Sequence, residues 1–483
     1  MTATIKERFR FFNAKNLIDS LSTNSLYLGI GRPYFWDLGT SSDSVIPVPY
    51  DTESSLVQDW EDMMSLKRVY PTGISHAVYK EMWQANTKYD IYRHDWNGSV
   101  SSVYTGDNPS VAYPSNLSDA KWYVVNSSYD VYVCLKQGTV AGVIQDSVQS
   151  PELGTPVGAT GVIQTSDGYL WKRIARCSPT NQSAFMTADY LPVLTLTTAP
   201  GGGDHYYGQW EDQQTSSTYT NGIYNIMVTS GGSGYNSGSA GTHNVTDAET
   251  DTHLTIIGNG TGLQCTVTYT AGGVISSIDV TNPGTGYTFA TVQAIGGTGA
   301  TFYPIITNKL GVDPVRDLNA FFLIFSVELD GDEGGDFTVL NDYRKILLIS
   351  NPCNYGTTTV ATANTLDSTY SITLTGESGT FNDDTVVSAT GNIKGRLVDW
   401  DATSSTMRVI RTNNENSGQL GANNSFAPGQ TVTIDPGTGT GTILSVTPPE
   451  VSHRSGMIIY SEYRRPIARS DSQIETIKII IEM

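Results

Sequence analysis

Apolar residues in this chain come mostly in short runs, bounded by Gly, Pro, Asn and Ser, and that pattern predicts strands more often than helices. The first segment is an exception. Ile5, Phe9, Phe12, Leu17 and Leu21 recur every three to five residues, which predicts a helix with that stripe facing a core or a partner. Leu26 to Gly31 then reads as a strand, closed by Gly31 and Pro33. A second helix is expected from about Thr52 to Leu66, with Asp51 as cap, Glu53 in the first turn and Leu56, Trp60, Met63 and Met64 on its apolar side. From Val69 to about Thr197 strands and turns follow. Trp122–Val125 and Asp130–Leu135 make a hairpin about the turn Asn126-Ser127-Ser128-Tyr129, and the turn at Asp167-Gly168 feeds a strand through Trp171. Phe321–Val327 and Ile346–Ile349 are apolar without interruption, as strands buried on both faces are. Two more strands, 456–460 and 474–481, end the chain.

Between these runs lie two stretches of a different character. Residues 222–308 are rich in Gly, Thr and Ser and contain a repeat. Ser230-Gly231-Gly232-Ser233-Gly234-Tyr235 returns as Asn282-Pro283-Gly284-Thr285-Gly286-Tyr287, and Gly260-Thr261-Gly262 returns as Gly297-Thr298-Gly299. One supersecondary unit used twice accounts for both echoes. Residues 357–448 are similarly Thr/Gly-rich, with a fainter echo of Phe381–Val387 in Phe426–Val432. The expected fold class is therefore mainly β with some α/β: a discontinuous, β-sandwich-like core with a few helices, carrying two inserted small β modules. The expected boundaries are core at 1–198, 312–356 and 451–483, and modules at 199–311 and 357–450. A length of 483 residues suits about three domains.

Charge narrows the possible partners. The 28 Lys and Arg against 47 Asp and Glu give a net charge of −19, which repels phosphate backbones and anionic membrane surfaces. No nucleic-acid, membrane or small-molecule partner is expected. No apolar run approaches a membrane span, and the N-terminus lacks the apolar region of a signal peptide, so a soluble protein made in a cytoplasm is expected. Cys134, Cys177, Cys265 and Cys353 are too dispersed for a disulfide framework or a CxxC metal site and read as reduced core thiols.

A search for chemistry finds no catalytic constellation, and no catalytic, cofactor-binding or metal residue is assigned. The glycines at 258, 260 and 262 have the spacing of a nucleotide loop without its helix. His243, Asp247, Asp251 and His253 come nearest to a metal cluster, with surface polar residues as the ordinary reading. The acidic loop at 329–336 offers hard oxygens of the kind calcium prefers but lacks the EF-hand pattern; a solvated hairpin loop is the plainer reading.

Several blocks, in order, resemble the baseplate wedge protein of contractile-tailed (myovirus) bacteriophages, the wedge component present in two copies per wedge. They are Tyr27-Leu28-Gly29-Ile30-Gly31-Arg32-Pro33-Tyr34-Phe35-Trp36; Asp59-Trp60-Glu61-Asp62-Met63-Met64; Trp83 with Tyr89-Asp90; Val131-Tyr132-Val133-Cys134-Leu135; Asp167-Gly168-Tyr169-Leu170-Trp171; Tyr343-Arg344 with Asn351-Pro352; and His453–Tyr460 with Arg465-Pro466. The resemblance implies a non-enzymatic, dimeric, mainly β structural subunit. Its partners would be a second copy of itself and other baseplate wedge proteins, and its place the virion tail baseplate, assembled in the host cytoplasm. In that role it would support the rearrangement that triggers contraction. Arg and aromatic side chains commonly anchor protein interfaces. Arg32, Tyr34, Phe35 and Trp36, together with Arg464 and Arg465, are therefore the candidate interface residues, with core packing and a solvated turn as their respective alternatives. A receptor- or glycan-binding tail protein is the alternative function.

Overall fold

The computed structural model describes residues 7–52, 57–92, 120–140, 143–157, 161–218, 221–307, 309–330, 341–391, 393–411, 426–470 and 473–483. The acidic loop expected at 329–336 lies largely outside them. The chain is mainly β and divides into two compact units. One comprises 1–15, 75–324 and 480–483, the other 16–74 and 325–479.

In the first unit a five-stranded antiparallel sheet runs in the order Tyr123–Val125, Asp130–Lys136, Leu170–Arg176, Val162–Gln164 and Thr155–Val157. The expected hairpin is its first pair. Asn126 Oδ1 accepts from the Ser128 and Asp130 amides at 3.0 and 2.8 Å, and Tyr129 takes the left-handed conformation the turn requires. The Asp167-Gly168 turn does feed the Leu170–Arg176 strand, and Asp167 Oδ1 accepts from the Tyr169 amide at 3.2 Å. The helix Pro179–Phe185 is capped by Ser178, whose hydroxyl accepts from the Asn181 amide.

The same unit holds the Gly/Thr-rich stretch. Ile223–Ser233 pairs with Thr298–Ile306, Thr261–Thr270 pairs with Val274–Thr285 and with Gly241–Val245, and Leu254–Gly258 pairs with Ala290–Ala294. Strands of the two echoes thus interleave: each strand leading into a Gly-x-Gly-Tyr turn pairs with the strand that follows the other echo's Gly-Thr-Gly. The two turns share their geometry. Gly232 and Gly284 have φ of 58° and 63°, and Gly234 and Gly286 have 81° and 83°. Both tyrosines are buried, and each ring lies on a glycine of the other echo, Tyr235 on Gly297 and Tyr287 on Gly260.

The N-terminal helix forms over Glu7–Ser20, but a different face packs. Phe11 and Ala14 are buried, whereas Phe9 and Phe12 are 57% and 56% exposed. The stripe gave weight to large residues. A small residue such as Ala14 marks closest approach of a helix to its support and carries little hydrophobic signal.

The second unit contains a five-stranded antiparallel sheet in the order Thr365–Asp367, Met63–Val69, Leu26–Gly31, Asp342–Ser350 and Met457–Ala468. From Tyr343 to Ile349 every residue of its fourth strand is buried. A separate closed barrel of six strands, from Tyr370–Ser378 to Thr440–Thr447, surrounds a core that includes Ile372, Leu397, Val409 and Val432. The helix expected over 52–66 does not form among the described residues 57–66; Glu53 and Leu56 lie outside them. Val57–Asp62 is a 3₁₀ segment and Met63–Val69 a strand between Leu26–Gly31 and Thr365–Asp367. Met63, Met64, Ser65 and Leu66 are all buried, so the apolar spacing that mimicked a helical face records burial on both sides of a sheet.

Candidate functional site

The second unit encloses a set of charges at the end of the Leu26–Gly31 strand. A bulge between Ile30 and Gly31 turns the chain around Asp62, whose carbonyl accepts from the Arg32 amide at 2.7 Å. Gly31 is required there, since a Cβ would stand 2.4 Å from that carbonyl oxygen. Arg32 follows in the left-handed conformation (φ 58°), and its guanidinium lies between the Tyr34 and Trp36 rings, 4.4 Å from each centroid. From there it donates to Asp62 Oδ2 at 3.1 Å and to the Phe35 carbonyl at 3.0 Å.

Two further cations come from one buried strand, Asp342–Ser350. Gly31 pairs with Lys345, and neighbouring strand residues point to opposite faces. Lys345 Nζ sits 3.1 Å from both Asp59 Oδ1 and Asp62 Oδ2. Ser461 donates to Asp59 Oδ2 at 2.8 Å; the Tyr463 and Tyr34 hydroxyls donate to Asp59 and Asp62. Arg344 binds Asp43 and donates to the Pro33 carbonyl at 2.6 Å. Asp59, Asp62, Arg344 and Lys345 are all buried. Buried ions persist only when paired and hydrogen-bonded, and here each is.

Electrostatics follow from this packing. Burial alone would raise the Asp62 carboxyl, but Lys345 and Arg32 outweigh it and hold it below the usual carboxylate range. Burial likewise opposes Asp43, and the Arg344 hydrogen bonds carry its carboxyl down. Tyr34 is pushed well above the ordinary phenol value by burial and then by Asp62. At the margin of the cluster Asp384 is raised to about 6, mainly by burial. Asp43, Asp59 and Asp62 are each held by a cation as well as by neutral donors, so the arrangement locks chain segments together.

The candidate interface residues are placed as follows. Arg32, Tyr34, Phe35 and Trp36 do form one cluster, with Tyr34 buried and the other three half-buried. Trp36 Nε1 donates to the Arg464 carbonyl at 2.9 Å, which brings Arg464 to the same place. Arg464 Nη1 lies 3.7 Å from Glu462 Oε1, and Arg465, next on the edge strand Met457–Ala468, is exposed. The sequence reading did not single out Asp43, Asp59, Asp62, Arg344 or Lys345 as a cluster. A usable signal existed: two cations directly preceding the apolar run Ile346–Ile349 enter the same buried strand and require buried acids, and Asp59–Asp62 beside Trp60 and Met63 supplies them.

In the first unit His243, Asp251 and His253 come together with one potential ligand atom from each, all within 4.8 Å of one another. Asp247 instead organises the preceding loop, accepting from the Glu249 amide at 3.1 Å. Cys134, Cys177 and Cys265 are buried, Cys353 is half-buried, and all four are free. Among the described residues no helix is long and apolar enough to cross a membrane.

No family model matches the chain. It is 26% identical over 211 residues to the baseplate wedge protein gp8 of Enterobacteria phage T4, an alignment that covers 40% of this chain and 60% of that protein. The chain therefore spans less than two thirds of its relative's length, and the relationship is that of a distant, baseplate-wedge-like homologue.

Proposed function

We propose that this protein is a structural, non-enzymatic subunit of a phage tail baseplate wedge. It acts as a homodimer, binds neighbouring wedge proteins by surface contact and supports the rearrangement that triggers sheath contraction. It is synthesised and assembled in the host cytoplasm and resides in the virion. The observation that carries this reading is the likeness to a baseplate wedge protein. The charge cluster supports it, because Arg32, Arg344 and Lys345 are spent on internal carboxylates, which suits a rigid assembly part. In this reading Arg32, Tyr34, Phe35 and Trp36 set the shape of the surface, while Arg464 and Arg465 on the edge strand meet a partner. The stretches 199–311 and 357–450 are modules inserted in a core formed by 1–198, 312–356 and 451–483.

Sedimentation of the full chain at micromolar concentration, joined to a map of the intact virion, tests the proposal. The expected results are a dimer in solution and density for this chain in the distal tail. A monomer overturns the dimer, and absence from the baseplate overturns the function.

A further inference from the structure

We propose that His243, Asp251 and His253 form a binding site for a zinc-type divalent transition-metal ion. Imidazole nitrogen and carboxylate oxygen are the donors such ions take, and three protein ligands leave a position for water or a group from another molecule. His243 Nε2 and Asp251 Oδ2 are 2.9 Å apart, and all three donors lie within 4.8 Å of one another. Tetrahedral zinc with bonds of about 2.0–2.1 Å holds its ligands roughly 3.3 Å apart, so small side-chain rotations close the set. The two imidazoles are stacked with centroids 3.7 Å apart at 23°; binding would turn one ring out of the stack to aim its lone pair at the shared ion.

The surroundings hold these donors in place. Asp251 Oδ1 accepts from the His253 and Leu254 amides at 2.7 and 3.1 Å, which fixes the carboxylate and directs Oδ2 toward His243. Thr252 Oγ1 lies 3.3 Å from His253 Nδ1, a partner for that nitrogen that leaves the other free. His243 is mid-strand, paired with Val267, so a strand and the loop after it both contribute donors.

The position within the module gives a reason for such a site. Gly260 lies 25 positions after Tyr235, but the equivalent Gly297 lies only 10 positions after Tyr287. All three donors lie on this extra length, which adds the Gly241–Val245 strand and a loop to one echo alone. The loop is anchored on the module core: Ala248 is fully buried, its carbonyl accepts from the Ile256 amide at 2.9 Å, and Glu249 accepts from the Tyr287 hydroxyl at 2.9 Å. A metal ion bridging strand and loop would staple the insertion closed.

The test uses the full-length chain, stripped with a chelator and titrated with Zn²⁺ by calorimetry, with Co²⁺ as a spectroscopic probe. The expected results are one equivalent bound per chain, a visible Co²⁺ spectrum of four-coordinate N/O ligation, and at least tenfold weaker binding in both His243→Ala and His253→Ala. Asp247→Asn should bind like the parent, and thermal melts of the metal-free variants should match the metal-free parent, which separates ligand loss from misfolding. Absence of stoichiometric binding, or binding unchanged in both histidine variants, overturns the proposal and leaves the wedge reading untouched.

Discussion

Arg344 grips Asp43 through two parallel hydrogen bonds, Nε to Oδ1 and Nη2 to Oδ2, each 2.9 Å long. The side chains are 2% and 12% exposed, so water contributes little to either charge. A lysine reaching the same place is a point charge that cannot satisfy both oxygens and the Pro33 carbonyl together. Arg344→Lys should therefore destabilise the second unit by about 2–4 kcal/mol, somewhat less than the loss of a whole buried pair because the charge is kept. Urea unfolding read by tryptophan fluorescence checks this, and an unchanged midpoint would refute it.

Lys345 is the countercharge for Asp59 and Asp62 together. Lys345→Met leaves the buried Asp59 carboxylate without its cation and Asp62 with Arg32 alone, and should cost about 3–5 kcal/mol. Combining it with Asp59→Asn and Asp62→Asn removes the stranded charge and should restore much of the loss, so the triple variant should melt above the single one. The same network sets an acid limit. The folded Asp62 carboxyl lies below its unfolded value, so its contribution is present above the unfolded value and is lost as pH falls through the folded one. Melts across the acid range should show the parent losing stability more steeply than the triple variant. Equal slopes would mean the cluster does not carry this linkage.

Asp384 works in the opposite direction. Its Oδ1 is buried without a hydrogen-bond partner, and burial first, with Asp383 and Asp342 adding to it against Arg344 and Arg396, raises the carboxyl to about 6. A folded value above the unfolded one means the native state holds its proton longer, so stability falls as pH climbs from about 4 to about 6 and stays lower above. Asp384→Asn should remove that slope and raise stability at neutral pH by about 1 kcal/mol after solvent screening. Asparagine also accepts the local φ of 65°. A melting temperature at pH 7 equal to or below the parent's would count against this account.

What could be read in the sequence divides along physical lines. The fold class and the hairpin at 122–135 were legible, because β-type runs and turn residues are local signals. The apolar run at Ile346–Ile349 announced its own burial. The segment 57–69 was misread because its buried face depends on partners distant in sequence, Leu26–Gly31 and Thr365–Asp367. The charge cluster was only half legible. Arg32, Tyr34 and Trp36 stood out as a local block, but their destination, Asp62 and Lys345, is set by strand register. His243, Asp251 and His253 were close enough in sequence to be noticed, yet their convergence depends on the strand at Gly241–Val245 turning back on the loop.

Gly260 and Gly297 allow the sharpest test of the interleaved halves. A Cβ on Gly260 would lie 2.4 Å from Tyr287 Cγ, and one on Gly297 would lie 2.6 Å from Tyr235 Cδ1 and from the Ser233 carbonyl oxygen. Neither ring can retreat, since both are buried and the Tyr235 hydroxyl accepts from the Ala300 amide at 3.2 Å while that of Tyr287 donates to Glu249. Gly260→Ala and Gly297→Ala should each cost about 1–3 kcal/mol, the range for overpacking, and by similar amounts because the two contacts are equivalent. Hydrogen exchange should rise in strands of both echoes for either variant, because each strand leading into a tyrosine turn pairs with the other echo. Gly202→Ala, where a Cβ meets nothing within 4 Å, serves as the neutral control. Exchange confined to the echo that carries the substitution would show that the halves fold separately, contrary to the strand exchange seen here.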